Sequence, residues 1–277
     1  MEKKEKTRSY WHVDAKWIFG IKSVFLLSVT LLLFNLSFIT AKNPGVELMT
    51  TIVATSFSRQ GLDDAKDFDE VRKKIKSSPD GKFKPIPNLE IYVSETDLNT
   101  RTPRELRMYI FRQIVEPAYD NGLEGVNILS HDPELVKKMK KEAGILTIIS
   151  AKNHKTLSLF SFVFLVISLV SISLVAYFSK RFGRLFAPGF ILFLASFLPA
   201  VFVSFINMAA KSHPLKTPSG EGLGASVSYA LSNVLPLILP TVQKTYVYTL
   251  ILGLLLMIAA LSGRTISKHK KQLFDLK

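Results

Sequence analysis

His131 and Asp132 stand side by side in this chain, and a histidine beside a carboxylate is a pairing that general acid–base chemistry uses. Adjacent residues do not face each other on a helix, however. Asp132 also precedes Pro133 and Glu134 in the pattern of a helix start, so its carboxyl is expected to cap a helix rather than orient an imidazole. A second group, Asp63, Asp64, Asp67, Asp69 and Glu70, carries enough carboxylates for a divalent cation. It lacks the spacing and glycine of an EF-hand loop, and Lys66, Arg72, Lys73 and Lys74 lie close by. A solvated helix face with internal ion pairs is the expectation. His154, His213 and Glu221 are the titratable groups that an enzyme acting on a lipid-linked substrate at a bilayer surface would use. Cysteine is absent, which excludes disulfides, thiolate metal sites and cysteine nucleophiles. No catalytic residue, cofactor or metal site is assigned.

Such side chains are sparse because long stretches of the chain are apolar. Four runs without one charged residue lie at Ser23–Ala41, Leu157–Phe178, Leu185–Ala209 and Tyr246–Ser262. Each approaches or exceeds the roughly 18–20 apolar residues needed to cross a bilayer as a helix. The expected fold class is an α-helical multi-pass membrane protein: a four-helix transmembrane bundle with a small, mostly helical α+β extracytoplasmic domain inserted between spans 1 and 2. The spans are set at 23–41, 157–178, 185–209 and 246–262, with the insert at 42–156, a turn at 179–184 and a segment at 210–245. A basic arm, 1–22, and a basic tail, 263–277, complete the chain.

Charge supplies the orientation. Lys and Arg number 36 against 22 Asp and Glu, a formal net charge of +14. The insert is nearly neutral, with 19 basic and 17 acidic residues, so no basic patch dominates it and nucleic acid is not an expected partner. The excess instead flanks the spans. Lys3, Lys4, Lys6, Arg8, Lys16 and Lys22 precede the first; Lys180, Arg181 and Arg184 separate the second and third; Arg264, Lys268, Lys270 and Lys271 follow the fourth. Four spans put all three clusters on one side, and the positive-inside rule makes it the cytoplasm of a cell membrane, with the insert outside. The long positive region and the poor cleavage site at Ile39-Thr40-Ala41-Lys42 favour a retained signal anchor. Trp11 and Trp17 suit one membrane interface, and Tyr246 and Tyr248 the other.

Within the spans the polar groups are mild: Thr30, Asn35 and Ser37; Ser161, Ser168, Ser171 and Ser173; Asn207. Their lack of ionisable groups argues against a proton-coupled pump or a voltage sensor built by this chain alone. Asn35, Asn207 and Asn233 are the candidate intramembrane polar contacts. Interhelical hydrogen bonds of this kind contribute about 0.6–2 kcal/mol; the alternative role is contact with a substrate. Pro199 is expected to kink the third span, and Ala259 with Gly263 has small-xxx-small packing spacing.

The insert opens with a helical pattern over Val46–Ser58 and a charge-rich one over Leu62–Lys76, closed by Ser77-Ser78-Pro79-Asp80-Gly81. Leu89–Val93 alternates like a strand, and Ile145–Ile149 is the expected pairing partner. Thr102-Pro103-Arg104-Glu105 is a capping box with proline at the first helical position, followed by the stripe Leu106, Tyr109, Ile110, Ile114 and an exit at Pro117 and Gly122. A further helix starts at Asp132, with Gly144 as its stop. Beyond Pro214, Pro218, Gly220 and Gly222 lies a fifth uncharged stretch, Leu223–Val242, broken by Pro236 and Pro240. If it spanned, the basic tail would fall on the wrong side. It is expected to be a re-entrant or interfacial helix that lines a pathway or caps the bundle or the insert.

The expected function is that of a sensor, scaffold or assembly factor whose insert binds another membrane or extracytoplasmic protein. The layout also resembles the four-span permeases of the cell-division and lipoprotein-export transporter class. The resemblance implies a cytoplasmic ATPase partner touched between spans two and three, where Ser179–Arg184 is too short for a coupling helix. A membrane enzyme is the third alternative.

Overall fold

The computed structural model describes residues 11–57, 62–78, 82–85, 90–122, 124, 148–212 and 223–275. Four helices are long and apolar enough to cross a membrane, at Val13–Ile39, Ala151–Phe178, Gly183–Ser212 and Ser232–Ser267. They belong to α1 (Trp11–Ile39), α6 (Ala151–Phe178), α7 (Gly183–Ser212) and α8 (Leu223–Asp275). Between α1 and α6 come α2 (Lys42–Phe57), α3 (Lys66–Ser77), β1 (Lys82–Phe83), β2 (Val93–Ser94), α4 (Glu95–Thr100) and α5 (Pro103–Asn121). The chain divides into two compact units, 1–35 with 158–206 and 241–277, and 36–157 with 207–240.

In the first unit the core is Leu27 and Leu31 of α1, Val175 of α6, Ile191, Ala195 and Ala200 of α7, and Tyr246 of α8. Tyr246 is thus a core residue, 7 % exposed, and not the interfacial anchor expected of it; Tyr248, at 66 %, faces outward. Small side chains permit the closest approach. A Cβ on Gly253 would lie 2.8 Å from both the Gly189 carbonyl and the Phe193 N–H nitrogen, so α7 and α8 touch backbone to backbone. The expected Ala259–Gly263 stripe is displaced: Ala259 is exposed, and the buried small residues are Gly253 and Ala260. Gly263 instead makes room for the Phe182 ring, 2.7 Å from where its Cβ would be. Outward-facing side chains such as Phe25, Leu32, Phe162, Leu198 and Phe202 are large and apolar, which suits lipid. The α6–α7 turn is tight, with Arg181 in the left-handed region at φ 49°.

The second unit holds two apolar clusters. One gathers Ile75 of α3, Ile91, Val93, Leu98 of α4 and the α5 stripe Leu106, Ile110 and Ile114. The other joins Val46, Leu48 and Met49 of α2 to Val115 and Tyr119 of α5, Ile149, and Val234 of α8. Hence Val234 and Ile238 of α8 pack with the insert's own helices. The expected capping box at Thr102 is present: its N–H donates to Glu105 Oε2 at 2.9 Å, and Glu105 N–H donates to Thr102 Oγ1 at 3.3 Å. A second box joins Ser94 and Asp97 at the start of α4.

Several elements differ from expectation for identifiable reasons. The strand at Val93–Ser94 pairs antiparallel with Lys82–Phe83, Phe83 opposite Val93, a partner the sequence pattern did not point to. Residues 145–147 lie outside the described residues, and Ile149 is a buried core residue in a bend. The helix start at Asp132 and the stop at Gly144 also lie outside them. α3 begins at Lys66, and Arg107 donates to the Leu62 and Asp64 carbonyls before it. α5 passes through Pro117 and ends at Gly122, whose φ of 65° suits glycine. α7 keeps both Pro188 and Pro199 within one helix, as a kinked helix also does. α8 likewise runs through Pro236 and Pro240, so Leu223–Val242 is one helix with the fourth span. These prolines are four apart, so the helical N–H groups they remove, facing the carbonyls of residues 232 and 236, fall on one face and the other faces keep their ladder.

Candidate functional site

The connection between α1 and α2, in the second unit, is braced by three other side chains. Its cause is local. Pro44 has no N–H to give the Thr40 carbonyl four residues back, so that oxygen lacks its helical partner. α1 ends at Ile39, and the Ala41 N–H turns to the Phe38 carbonyl at 3.1 Å, which deprives the Ser37 carbonyl of its usual partner. Side chains satisfy both oxygens. Tyr119 donates its hydroxyl to the Thr40 carbonyl at 2.8 Å, and His154 Nδ1 lies 2.9 Å from the Ser37 carbonyl. A carbonyl only accepts, so Nδ1 of His154 carries the proton. Thr40 Oγ1 adds bonds to the Leu36 and Ser37 carbonyls at 2.8 and 3.1 Å. Gly45 lets this cluster close: a Cβ there would lie 3.0 Å from Ile149 Cγ2 and 3.1 Å from the Tyr119 ring. Burial pushes the Tyr119 phenol above its ordinary value, and the Asp120 charge adds to the shift, which keeps the donor protonated. On the exposed side Lys42 Nζ meets Asp120 at 2.7 Å, and this bond raises the lysine pKa.

Arg104 and Arg107, on α5, anchor two other segments. Arg104 donates to Asn233 Oδ1 at 3.2 Å and sits 3.6 Å from Asp63. Arg107 donates to the Asp64 carbonyl at 2.8 Å. Asp63 is therefore ion-paired, and Asp64 presents its backbone to an arginine. No cluster of His, Asp or Glu suited to a metal ion occurs among the described residues.

The three candidate asparagines are divided between the two units. Asn35 belongs to the first unit, where it is 3 % exposed; its Nδ2 donates to the Leu31 carbonyl at 2.8 Å and the Tyr246 hydroxyl lies against its amide. Asn207 and Asn233 belong to the second unit: Asn207 is buried near the end of α7, and Asn233 is engaged by Arg104. His154 is at the α1–α2 junction. His131, Asp132, His213 and Glu221 lie outside the described residues. The sequence reading missed Tyr119, Arg104 and Arg107. Tyr119 has a signal: Val115 and, past Pro117, Tyr119 stand four apart and form a second apolar face of α5.

One concavity accompanies these contacts. A cavity of about 290 Å³ lies between α3 and α4, with Arg72, Lys76, Glu95 and Asn99 around it and the buried Ile75 and Leu98 at its base.

No family model matches the chain, and no curated protein or solved structure is significantly similar to it. The class is defined by the helices themselves: four apolar helices of spanning length mark a multi-pass membrane protein.

Proposed function

We propose that this chain is an integral membrane sensor, scaffold or assembly factor, with its 42–156 insert outside the plasma membrane, both termini in the cytoplasm, and the insert engaged with a partner protein. The observation that carries the proposal is what the polar groups of the bundle do. Ser23 Oγ bonds Ser171 Oγ at 2.7 Å, and Thr30 Oγ1 bonds Ser168 Oγ at 2.9 Å. Gln243 Nε2 donates to Ser204 Oγ at 3.1 Å. These groups hold helices to one another, the role expected of mild polar residues in spans. The tight turn between α6 and α7 leaves little room for the coupling helix that a permease would use against an ATPase.

Chemical crosslinking in native membranes, followed by mild detergent extraction, tests the proposal. A defined partner copurifying with the chain is the expected result. Recovery of a lone monomer would overturn it.

A further inference from the structure

The lipid-facing side of α1 carries one residue that its surroundings do not suit. Lys22 is exposed, and Ile18, Ile21 and Phe25 around it on the helix are exposed and apolar, at 64, 71 and 67 %. Its depth follows from the contact between α1 and α6. The Ser23–Ser171 hydroxyl pair sets those two residues level, and with Thr30–Ser168 it shows that the helices run antiparallel. Trp17 and Tyr177 each stand six residues from the first pair toward the same end of the bundle, and both face outward, at 68 and 76 %. Two such rings at one level mark a membrane interface. At 1.5 Å per residue, Lys22 lies about 7–8 Å inside it. Orienting a chain needs cations near the ends of its spans, but not one below the aromatic level.

Five more cations, Lys16, Lys180, Arg181, Arg184 and Arg264, belong to the same end of the bundle, and the single acid in residues 11–35, 158–206 and 241–267 is Asp14. Ring contacts bring their segments together. Phe19 stacks on Phe178 at 6.1 Å, which joins α1 to the end of α6, and the Phe182 ring fills the space that Gly263 leaves on α8. None of the six is ion-paired among the described residues. Arg184 is held by the turn itself: its Nε donates to the Ser179 carbonyl at 3.3 Å, and its terminal nitrogens have no partner among the described residues. The setting of Lys22 selects among anions. Inorganic phosphate would have to leave water to meet it, and a partner helix would have to carry a carboxylate into hydrocarbon. A phospholipid already joins its phosphate to acyl chains, which can lie against Ile18, Ile21 and Phe25 while the lysine stem rises to the headgroup. Six cations to one acid favour a headgroup without a compensating cation of its own.

We infer that this end of the bundle binds an anionic phospholipid, with Lys22 reaching the phosphate from the lipid side and the other five cations supplying the field that attracts it. The inference rests on the four spanning helices and not on the scaffold role, and it holds whichever side of the membrane the insert faces.

The test uses the full chain with Trp11→Phe, which leaves Trp17 as its one tryptophan, in phosphatidylcholine vesicles. Phosphatidylglycerol or phosphatidylcholine brominated near the headgroup is added in equal amounts, and quenching of Trp17 gives the relative binding of the two lipids. Phosphatidylglycerol is expected to bind at least about threefold more strongly, and Lys22→Gln/Arg184→Gln to bring the ratio below about 1.5. Lys22→Gln alone, a change at an exposed position, should already lower it. Lys244→Gln removes an exposed cation about 30 Å away along α8 and should leave the ratio unchanged. Equal quenching by both lipids in the parent chain, or a preference that both Lys22 variants retain, overturns the inference. Loss of the preference on adding inorganic phosphate at constant ionic strength also overturns it, since the site would then take free phosphate. A crosslinked partner lost in the double variant while the lipid preference persists would assign these cations to a protein instead.

Discussion

The bundle and the insert solve the problem of holding helices together by opposite means. In the insert, water drives Ile75, Val93, Leu98 and the α5 stripe into a core, and the helix starts are fixed by capping boxes at Ser94 and Thr102. In the bundle, lipid is as apolar as the helices, so burial of leucine discriminates little. Contact there depends on the absence of side chains at Gly189 and Gly253 and on hydroxyl pairs such as Thr30–Ser168. Apolar volume is what the insert needs; the bundle needs its removal.

Mutations can break this contrast. The largest effect is expected from Gly253→Leu, which pushes a side chain against rigid backbone at 2.8 Å on two sides. It should cost about 3 kcal/mol or more and remove the folded species in detergent thermal melts followed by gel filtration. Leu106→Ala opens a hole in the insert core and should cost about 2–5 kcal/mol. Hydrogen exchange is expected to rise in α3–α5 while the α7–α8 contact stays protected. If the bundle loosens equally, the division into two units fails.

Ser94→Ala removes a cap and should cost about 1 kcal/mol, again confined to the insert. Acid reports on the same contact. Burial opposes the charged Asp97 carboxylate, but hydrogen bonds from the Ser94 hydroxyl and N–H, with Arg101, outweigh it and hold its pKa below the ordinary 3.8. Its stabilisation is therefore complete above that value and disappears as pH falls through the lower folded-state value. Asp97→Asn should flatten this part of the acid-unfolding curve. The smallest effect belongs to the bundle hydroxyls. A double-mutant cycle of Thr30→Val and Ser168→Ala should give a coupling near 0.6 kcal/mol and no more than about 1.7 kcal/mol. A much larger value would mean that hydroxyl pairs, more than glycine contacts, hold the bundle.

Local signals were legible and distant ones were not. The four apolar helices follow from hydropathy, and the Thr102–Glu105 box from four consecutive residues. The partner of Val93 was not legible, because a two-residue strand such as Lys82–Phe83 has too few side chains to show alternation. The continuity of α8 was missed for a different reason. Proline is read as a helix breaker, yet inside a hydrophobic helix its missing bonds fall on one face and the rest of the ladder survives. Of the candidate asparagines, the span position of Asn35 was visible, whereas the partners Tyr246 and Arg104 lie far off in sequence from Asn35 and Asn233 and leave no local mark.

The break after α1 also sets a clock on biosynthesis. The Thr40 carbonyl waits for Tyr119, 79 residues later, and the Ser37 carbonyl for His154, 117 residues later. At about 5–20 residues per second, ribosomes leave the first oxygen without its tyrosine for roughly 4–16 seconds and the second without its histidine for roughly 6–23 seconds. Over that interval the end of α1 is held only by local bonds, those of the Thr40 hydroxyl to the Leu36 and Ser37 carbonyls and of the Ala41 N–H to the Phe38 carbonyl.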